Sequence, residues 1–415
     1  MTPIVIWLAG TDASALVSRP GTFIAALGKA CALAGTALFL FNPFLSARER
    51  ISEFILRGLD NAVRLHRLNG KVSFYLILLH PILIAVGRML NGRAITAVWN
   101  WTSPLILVGL FALICFTTLV GISIYAHIKH QRWIIIHRLF GWLIPIFLLH
   151  AFLARSQMVN NEVLLIYMLA IAAVGFSSFL YRSVLHKYVA RLHKYEVKEV
   201  LRINDTVTEI VLAPKHGKMN FRAGQYGFVS FESPKIDRED HPFSFSNADN
   251  GPYVRFAIKS LGDDTRSFHT IEPGSTAWID GPYGSFSFES ILNHKQVWIA
   301  GGIGITPFLS MARSFSGPGR YDIRFFYGAE SLDDAVFLQE FMDIARHLPE
   351  NFDTKIVNKK TSGFVTVDLL QKSLGDLKEY DYLICGPPGM MRALLEQLQK
   401  AGVPKSQIHI EAFSM

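Results

Sequence analysis

The sequence predicts a multi-domain protein: an all-α transmembrane bundle, then a small antiparallel β-barrel, then a doubly wound α/β domain. Three observations carry that expectation. Long apolar runs are confined to the first half of the 415 residues, where 16 Lys and Arg stand against 5 Asp and Glu up to Ala190. After Tyr195 they give way to short alternating segments, VKEVLRI, TEIVLA, QYGFVSF, YVRFAIK and STAWIDG, punctuated by Gly, Pro and Asn. Period-two patterning of this kind marks antiparallel strands. From Gln296 buried-type strands (VWIAG, IRFFYG, FDTKIV, DYLICG) alternate with helical stretches such as FLQEFMDIARHL and MMRALLEQLQKA, as in an open α/β sheet. The expected domains are residues 1–190, 191–292 and 293–415.

Taken in order, residues 3–17 (PIVIWLAGTDASALV) begin apolar, but Asp12 interrupts a run too short to span about 30 Å of hydrocarbon. They lack the basic start and small-residue cleavage site of a signal peptide, and are expected to form an incomplete or tilted first helix. Full spans follow at about 21–45, 70–90, 103–127, 133–154 and 162–184. Arg48, Arg50, Arg57, Arg64, Arg67 and Lys71 precede the second of these, Lys129 and Arg132 the fourth, and Arg182 and Lys187 follow the last. The opposite loops hold only Arg19, Arg88, Arg93 and Arg155. Basic loops stay cytoplasmic, so the C-terminal half is expected in the cytoplasm of an integral membrane protein. The remaining 225 residues carry 25 basic against 28 acidic side chains, so the net +8 belongs to the membrane half and gives no reason to expect nucleic acid as a partner. Cys31, Cys115 and Cys385 lie far apart without CxxC spacing, which argues against iron–sulfur and structural zinc sites.

Two of the spans share one design. His66 and His80 bracket HRLNGKVSFYLILLH, and His137 and His150 bracket HRLFGWLIPIFLLH. Ionisable side chains at membrane depth are costly and mark function. At about 1.5 Å per residue each pair spans roughly 20 Å, room for two stacked cofactors. A lone histidine in an apolar helix is more often a hydrogen-bonded packing residue, but two pairs at matching separation argue for metal ligands. Antipodal neutral imidazoles give a six-coordinate haem iron suited to electron transfer. The reading is two b-type haems, held by His66 with His137 and by His80 with His150. Thirteen residues rotate about 140° around a straight helix, which would misplace His150 unless Pro145 introduces an irregularity or the two haems are laterally offset. Arg88 and Arg155 follow the outer histidines, as interface anchors or as partners of the outer haem or its acceptor.

In the second half GGIGITP (Gly301–Pro307) follows a strand and opens a helix, the context a pyrophosphate needs: glycines admit the phosphates and the helix N-terminus offers amides. It has company in HPFSFS (His241–Ser246), IKSLGDDT, GPYG (Gly281–Gly284), CGPPGMM from Cys385, and the terminal EAF. In order and spacing these motifs resemble the dehydrogenase half of the transmembrane NADPH oxidase and ferric reductase superfamily, whose soluble part has the ferredoxin-NADP reductase fold. The histidine pairs are similar to that family's haem helices. Within the family the chain is most similar to bacterial single-subunit oxidases, since no EF-hand or partner-binding tail is visible. No obligatory protein subunit is therefore expected, and the location implied is a bacterial inner or plasma membrane.

The resemblance implies that His241, Pro242, Phe243 and Ser244 hold FAD, with Ser244 near flavin N5, and that Gly262 and Thr265, at a helix start, hold its pyrophosphate. Gly302, Gly304, Thr306 and Pro307 would cradle NAD(P)H, and Cys385, Gly386 and Pro387 would border the nicotinamide. Phe413 would stack on the isoalloxazine until nicotinamide displaces it. Ser246, Lys259, Gly281, Gly284 and Glu330 complete the implied cofactor-binding set. Where the fold usually has an arginine for the NADPH 2′-phosphate, after FFYG, this chain has Glu330, which favours NADH or little discrimination. The function expected is electron transfer from NAD(P)H through FAD and two haems to oxygen, giving superoxide, or to ferric iron. A haem-free membrane-anchored flavoprotein serving a soluble carrier, and a sensory membrane protein with a decayed reductase domain, are the alternatives.

Overall fold

The computed structural model describes residues 2–47, 50–56, 58–94, 103–153, 161–186, 193–234, 236, 238–262, 264–315 and 321–412. The chain divides into two compact units, Met1–Val189 and Ala190–Met415.

The first unit is helical. The opening stretch is not one tilted helix but two short ones, α1 (Thr2–Ala9) and α2 (Ala13–Val17). The break falls where Asp12 accepts from Ser14 N at 2.9 Å, capping the second helix instead of continuing the first. Then follow α3 (Pro20–Ser46), α4 (Arg50–Leu56), α5 (Leu59–Leu90), α6 (Pro104–Tyr125), α7 (His130–Leu153) and α8 (Glu162–Leu180), the last extended by a π-helical turn to Leu185. Five segments are long and apolar enough to cross a membrane: Pro20–Ser46, Asn61–Leu90, Pro104–Tyr125, Arg132–Leu153 and Glu162–Leu185. Phe111, Ile114, Val163 and Ile166 stay exposed on them, as lipid-facing side chains do, while Leu40, Phe116, Ile144 and Met168 fill the interior.

Helices α3 and α5 pack antiparallel in a seven-residue register. Ser73 Oγ donates to the Gly35 carbonyl at 2.9 Å, and the histidines seven residues to either side bond to Asn42 and Gly28, seven residues from Gly35. A Cβ on Gly28 would lie 3.1 Å from Ile84 N, and one on Gly87 only 2.6 Å from Gly21 O. Missing side chains therefore let the backbones approach closely enough for side chain to carbonyl bonds, the usual means of helix association in lipid.

The second unit holds two sheets. Strands β1 (His193–Arg202), β2 (Val207–Pro214), β3 (Tyr226–Glu232), β4 (His241–Ser244), β5 (Val254–Lys259) and β6 (Thr276–Tyr283) pair antiparallel in the order β4-β3-β6-β1-β2-β5. The two edge strands lie near each other, so the barrel is nearly closed. Alternate residues, among them Val197, Ile210, Leu212, Phe231, Phe256 and Ile279, fill its interior.

Strands β7 (Lys295–Gly301), β8 (Asp322–Ala329), β9 (Phe352–Asn358), β10 (Asp381–Cys385) and β11 (Ile408–Glu411) form a parallel sheet in the order β11-β10-β7-β8-β9. Helices α9 (Thr306–Arg313), α10 (Leu338–His347), α11 (Val367–Leu374) and α12 (Pro388–Lys400) connect them. Trp298, Phe308, Phe325 and Phe341 fill one face of the sheet, and Val297, Ile299, Tyr382 and Leu394 the other. The chain winds outward from β7 in both directions, so the strand order reverses between β7 and β10. That reversal opens a crevice beyond the strands' C-terminal ends, where open α/β sheets bind ligands.

Candidate functional site: two histidine pairs and a dinucleotide crevice

In the helical unit, His66 on α5 and His137 on α7 face each other with ring centroids 6.0 Å apart. Two imidazoles on one metal, at about 2 Å per bond and roughly 1 Å from nitrogen to ring centre, would have centroids about 6 Å apart. His80 lies fourteen residues further along α5 and His150 thirteen further along α7. Each of the four rings has Nδ1 engaged. His66 Nδ1 lies 3.1 Å from Asn42 O, His80 Nδ1 3.0 Å from Gly28 O, and His150 Nδ1 3.2 Å from Leu105 O. A carbonyl only accepts, so these three Nδ1 atoms carry the proton and Nε2 keeps the lone pair a metal needs. His137 Nδ1 instead meets Ser123 Oγ at 3.2 Å, and Trp133 stacks on its ring at 4.6 Å while donating Nε1 to Ser123 O. His137 and His150 both engage α6 despite their thirteen-residue spacing. Gly109 on α6 makes room for the outer one, since a Cβ there would lie 2.4 Å from His150 Cε1.

In the barrel, β4 is HPFS itself, paired with β3 so that Ser244 opposes Tyr226 and His241 opposes Val229. Ser244 is buried and its hydroxyl has no hydrogen-bond partner among the described residues. A buried unpaired hydroxyl is costly, and a flavin edge would satisfy it. His241 Nε2 lies 3.3 Å from Asp264, and its ring is nearly parallel to that of Phe243. Pro242 and Phe243 are half-buried, and Lys259 ends β5 opposite Val207. Two of these segments make bonds within the protein. Thr265 Oγ accepts from Leu261 N at 3.0 Å and Gly262 N at 2.9 Å, so these amides close their own turn, and the helix that follows is only the 3-10 turn Phe268–Thr270. The Ser246 hydroxyl bonds to Glu209, which ties it to the barrel frame. Gly284, at φ +90°, packs under Tyr226, where a Cβ would lie 3.1 Å from the ring, while Gly281 precedes Pro282 at the end of β6.

At the sheet reversal the structure brings two predicted turns together. A Cβ on Gly304 would lie 2.4 Å from Cys385 O, and one on Gly386 would lie 3.0 Å from Gly301 Cα. Glycine is required for this approach. Gly302, at φ +54°, adopts a conformation that a side chain would strain. Thr306 and Pro307 are buried at the start of α9, Cys385 is buried, and Pro387 is exposed at the rim. Glu330 directly follows β8 and is paired with Lys359 Nζ at 2.8 and 3.2 Å. Two arginines of this domain are engaged in ion pairs: Arg324 with Asp322 at 3.0 Å, and Arg313 with Glu209 and Glu340.

Sequence reasoning missed Ser123, Ser73, Gly28, Gly109, Tyr226 and Lys359. Only the glycines' repetition along apolar helices offered a signal. Phe413 and Arg155 lie outside the described residues, as do Arg48 and Lys187.

Residues 31–148 match the ferric reductase like transmembrane component family, residues 192–287 an FAD-binding domain family, and residues 298–396 the oxidoreductase NAD-binding domain family. The propane 2-monooxygenase reductase component of Rhodococcus jostii (strain RHA1) is 30% identical over 235 residues, 52% of this chain and 62% of that protein. The flavohemoprotein of Rhizobium meliloti (strain 1021) is 27% identical over 242 residues, 53% of this chain and 60% of its own. The chain thus spans about three-fifths of these relatives' length. A solved flavohemoglobin from Malassezia yamatoensis, with bound FAD and heme, aligns over 100% of this chain and 99% of its own with a TM-score of 0.51 and 17% identity, a likeness of fold. These three family matches, in this order on one chain, match the architecture of the NADPH oxidase and ferric reductase superfamily: a ferric reductase like transmembrane component followed by FAD-binding and NAD-binding domains.

Proposed function

We propose that the protein passes electrons from cytoplasmic NAD(P)H, through FAD and two b-type haems, to an external one-electron acceptor, oxygen, giving superoxide. The observation that carries this reading is His66 and His137 with ring centroids 6.0 Å apart, together with an engaged Nδ1 on all four histidines. FAD, when bound, takes a hydride with its electron pair from NAD(P)H, and haem iron, when bound, carries the electrons singly.

The chain's own residues bind and orient. Gly302, Gly304, Thr306 and Pro307 receive the dinucleotide at the sheet reversal, and Cys385, Gly386 and Pro387 border the nicotinamide. His241, Pro242, Phe243 and Ser244 line the flavin, with Ser244 Oγ at its N5 edge. Lys259, Gly281, Gly284 and the turn that Thr265 closes with Gly262 would shape the rest of the flavin cleft. His66 with His137, and His80 with His150, would hold the two haems, while the carbonyls of Asn42, Gly28 and Leu105 fix the orientation of His66, His80 and His150. No protein acid or base is needed for the electron steps. Basic loops before α5 and after α8 support a cytoplasmic flavin domain.

Matched assays decide the acceptor. With NADH supplied to purified protein in vesicles, cytochrome c reduction abolished by superoxide dismutase supports oxygen. Ferric chelate reduction that dismutase leaves untouched, with no superoxide, assigns ferric iron instead.

A further inference from the structure

We propose that Arg313 is a positioning residue for hydride transfer, a clamp that holds the helix rising from the nucleotide turn against the end of the flavin segment. This inference rests on the proposed transfer of a hydride, with its electron pair, from NAD(P)H to FAD, which leaves NAD(P)+ and reduced flavin.

Helix α9 has two functional ends. Thr306 begins it directly after the Gly302–Ile305 turn, and Arg313 closes it seven residues later, about 10 Å away. Arg313 directs its guanidinium at three other segments. Nη1 donates to Glu209 Oε1 on β2 at 3.1 Å and to Ser246 O at 2.6 Å. Nε and Nη2 form a bidentate pair with Glu340 on α10, at 2.7 and 2.9 Å. Ser246 ends the HPFSFS run only two residues after Ser244, at most about 7 Å of chain. One guanidinium thus joins the helix of the nucleotide turn to the strand end of the flavin site.

The clamp is buried and charge-balanced. Glu209 is 3% exposed and also receives Arg255 Nη1 at 3.2 Å and Ser246 Oγ at 3.2 Å, so two guanidiniums face two carboxylates. Burial opposes charge on Arg313, but the Glu340 and Glu209 carboxylates more than reverse that, holding its pKa above the usual arginine value. A second tie lies one turn earlier. Ser310 Oγ donates to Asn247 O at 2.8 Å and accepts from Gly224 N at 3.4 Å. Gly224, at φ +94°, leaves no slack there, because a Cβ would lie 2.0 Å from Phe286 O and 2.4 Å from Met311 Cε. Phe337, which precedes α10, is held left-handed at φ 58°, with Arg313 Cζ 5.7 Å above its ring. Backbone held in this sparsely populated region marks a junction that its surroundings over-determine.

Two domains in one chain move relative to each other unless tied. Hydride donor and acceptor react at about 3–3.5 Å, and a misplacement of about 1 Å costs about a hundredfold in rate. A clamp at this junction therefore controls the rate of transfer while leaving nucleotide affinity to the turn itself.

The test is anaerobic stopped-flow reduction of FAD by NADH in the full-length protein, for Arg313→Lys, which keeps the charge and loses the fork, and for Ser310→Ala, which strands no charge. FAD content and half-saturating NADH should stay within about twofold of the parent. The limiting rate of flavin reduction should fall roughly 10- to 100-fold in Arg313→Lys and several-fold in Ser310→Ala, with a larger isotope effect from NADH deuterated at nicotinamide C4. Limiting rates within twofold of the parent in both variants overturn the inference, as does a loss that merely tracks lost FAD or weaker NADH binding. If Arg313→Lys does not fold, Ser310→Ala decides alone. A parent protein that binds FAD but is not reduced by either nucleotide overturns the underlying reading instead.

Discussion

Gly109→Ala is expected to remove one haem while leaving the flavin chemistry intact. The added Cβ would lie 2.4 Å from His150 Cε1, 2.7 Å from Nδ1 and 3.2 Å from Nε2. Carbon atoms in ordinary contact lie about 3.5 Å apart, so the imidazole must retreat by about 1 Å. The Nδ1 bond to Leu105 O, at 3.2 Å, is already at the long end of the normal range and would break. Metal–ligand distances hold to about 0.2 Å, and loss of an outer-shell partner costs about 10- to 100-fold in metal affinity. The purified variant should therefore carry about one haem per FAD instead of about two, by pyridine haemochrome and flavin absorbance, and titrate in one redox step. Flavin reduction by NADH should match the parent. Two haems per FAD with unaltered potentials would refute the placement of His150 as a ligand.

Three further outcomes follow from named contacts. His80→Leu and His150→Leu should each lose the outer haem and superoxide formation yet keep NADH-dependent dye reduction by FAD; full haem content in both contradicts the ligand assignment. Ser73→Ala removes one buried bond between α3 and α5, worth about 0.6 kcal/mol, so unfolding should shift slightly with haem content unchanged, and loss of a haem would make Ser73 more than a packing rung. Glu330 makes an exposed ion pair with Lys359, worth at most about 1 kcal/mol, so kcat/KM for NADH and NADPH should lie within about tenfold. Glu330→Arg should move that ratio toward NADPH by about tenfold or more, through a charged hydrogen bond of about 1.5–3 kcal/mol; a strong NADPH preference that the substitution leaves untouched removes Glu330 from cofactor choice.

Much of this architecture is written in local patterns. Apolar run length gave the five spans to within a few residues at most ends, although α5 begins at Leu59, eleven residues before the apolar run that marked it. The amphiphilic turn around His66 belongs to the same helix but lies outside the apolar window. Alternation gave the barrel strands, and the glycine turn after VWIAG located the crevice, because a strand–turn–helix corner is encoded within a dozen residues. What remained hidden depends on partners far apart in sequence. His80 bonds to Gly28 across 52 positions, and Arg313 to Glu209 across 104. No periodicity announces such a bond, since Asn42, Gly28 and Leu105 contribute only backbone carbonyls. Thr265 illustrates the converse: its hydroxyl suits a phosphate or its own turn equally well, and in the structure it accepts from Leu261 N and Gly262 N.

The central claim is that one chain carries electrons from NAD(P)H past a flavin to two membrane haems. Its most direct test is anaerobic addition of NADH to purified protein, with FAD and haem quantified in the same sample. The account expects about two low-spin haems per FAD, both reduced after the flavin, with the split visible band of bis-histidine iron. A flavin that bleaches with NADH in a protein lacking any Soret absorption would contradict it and leave a haem-free flavoprotein.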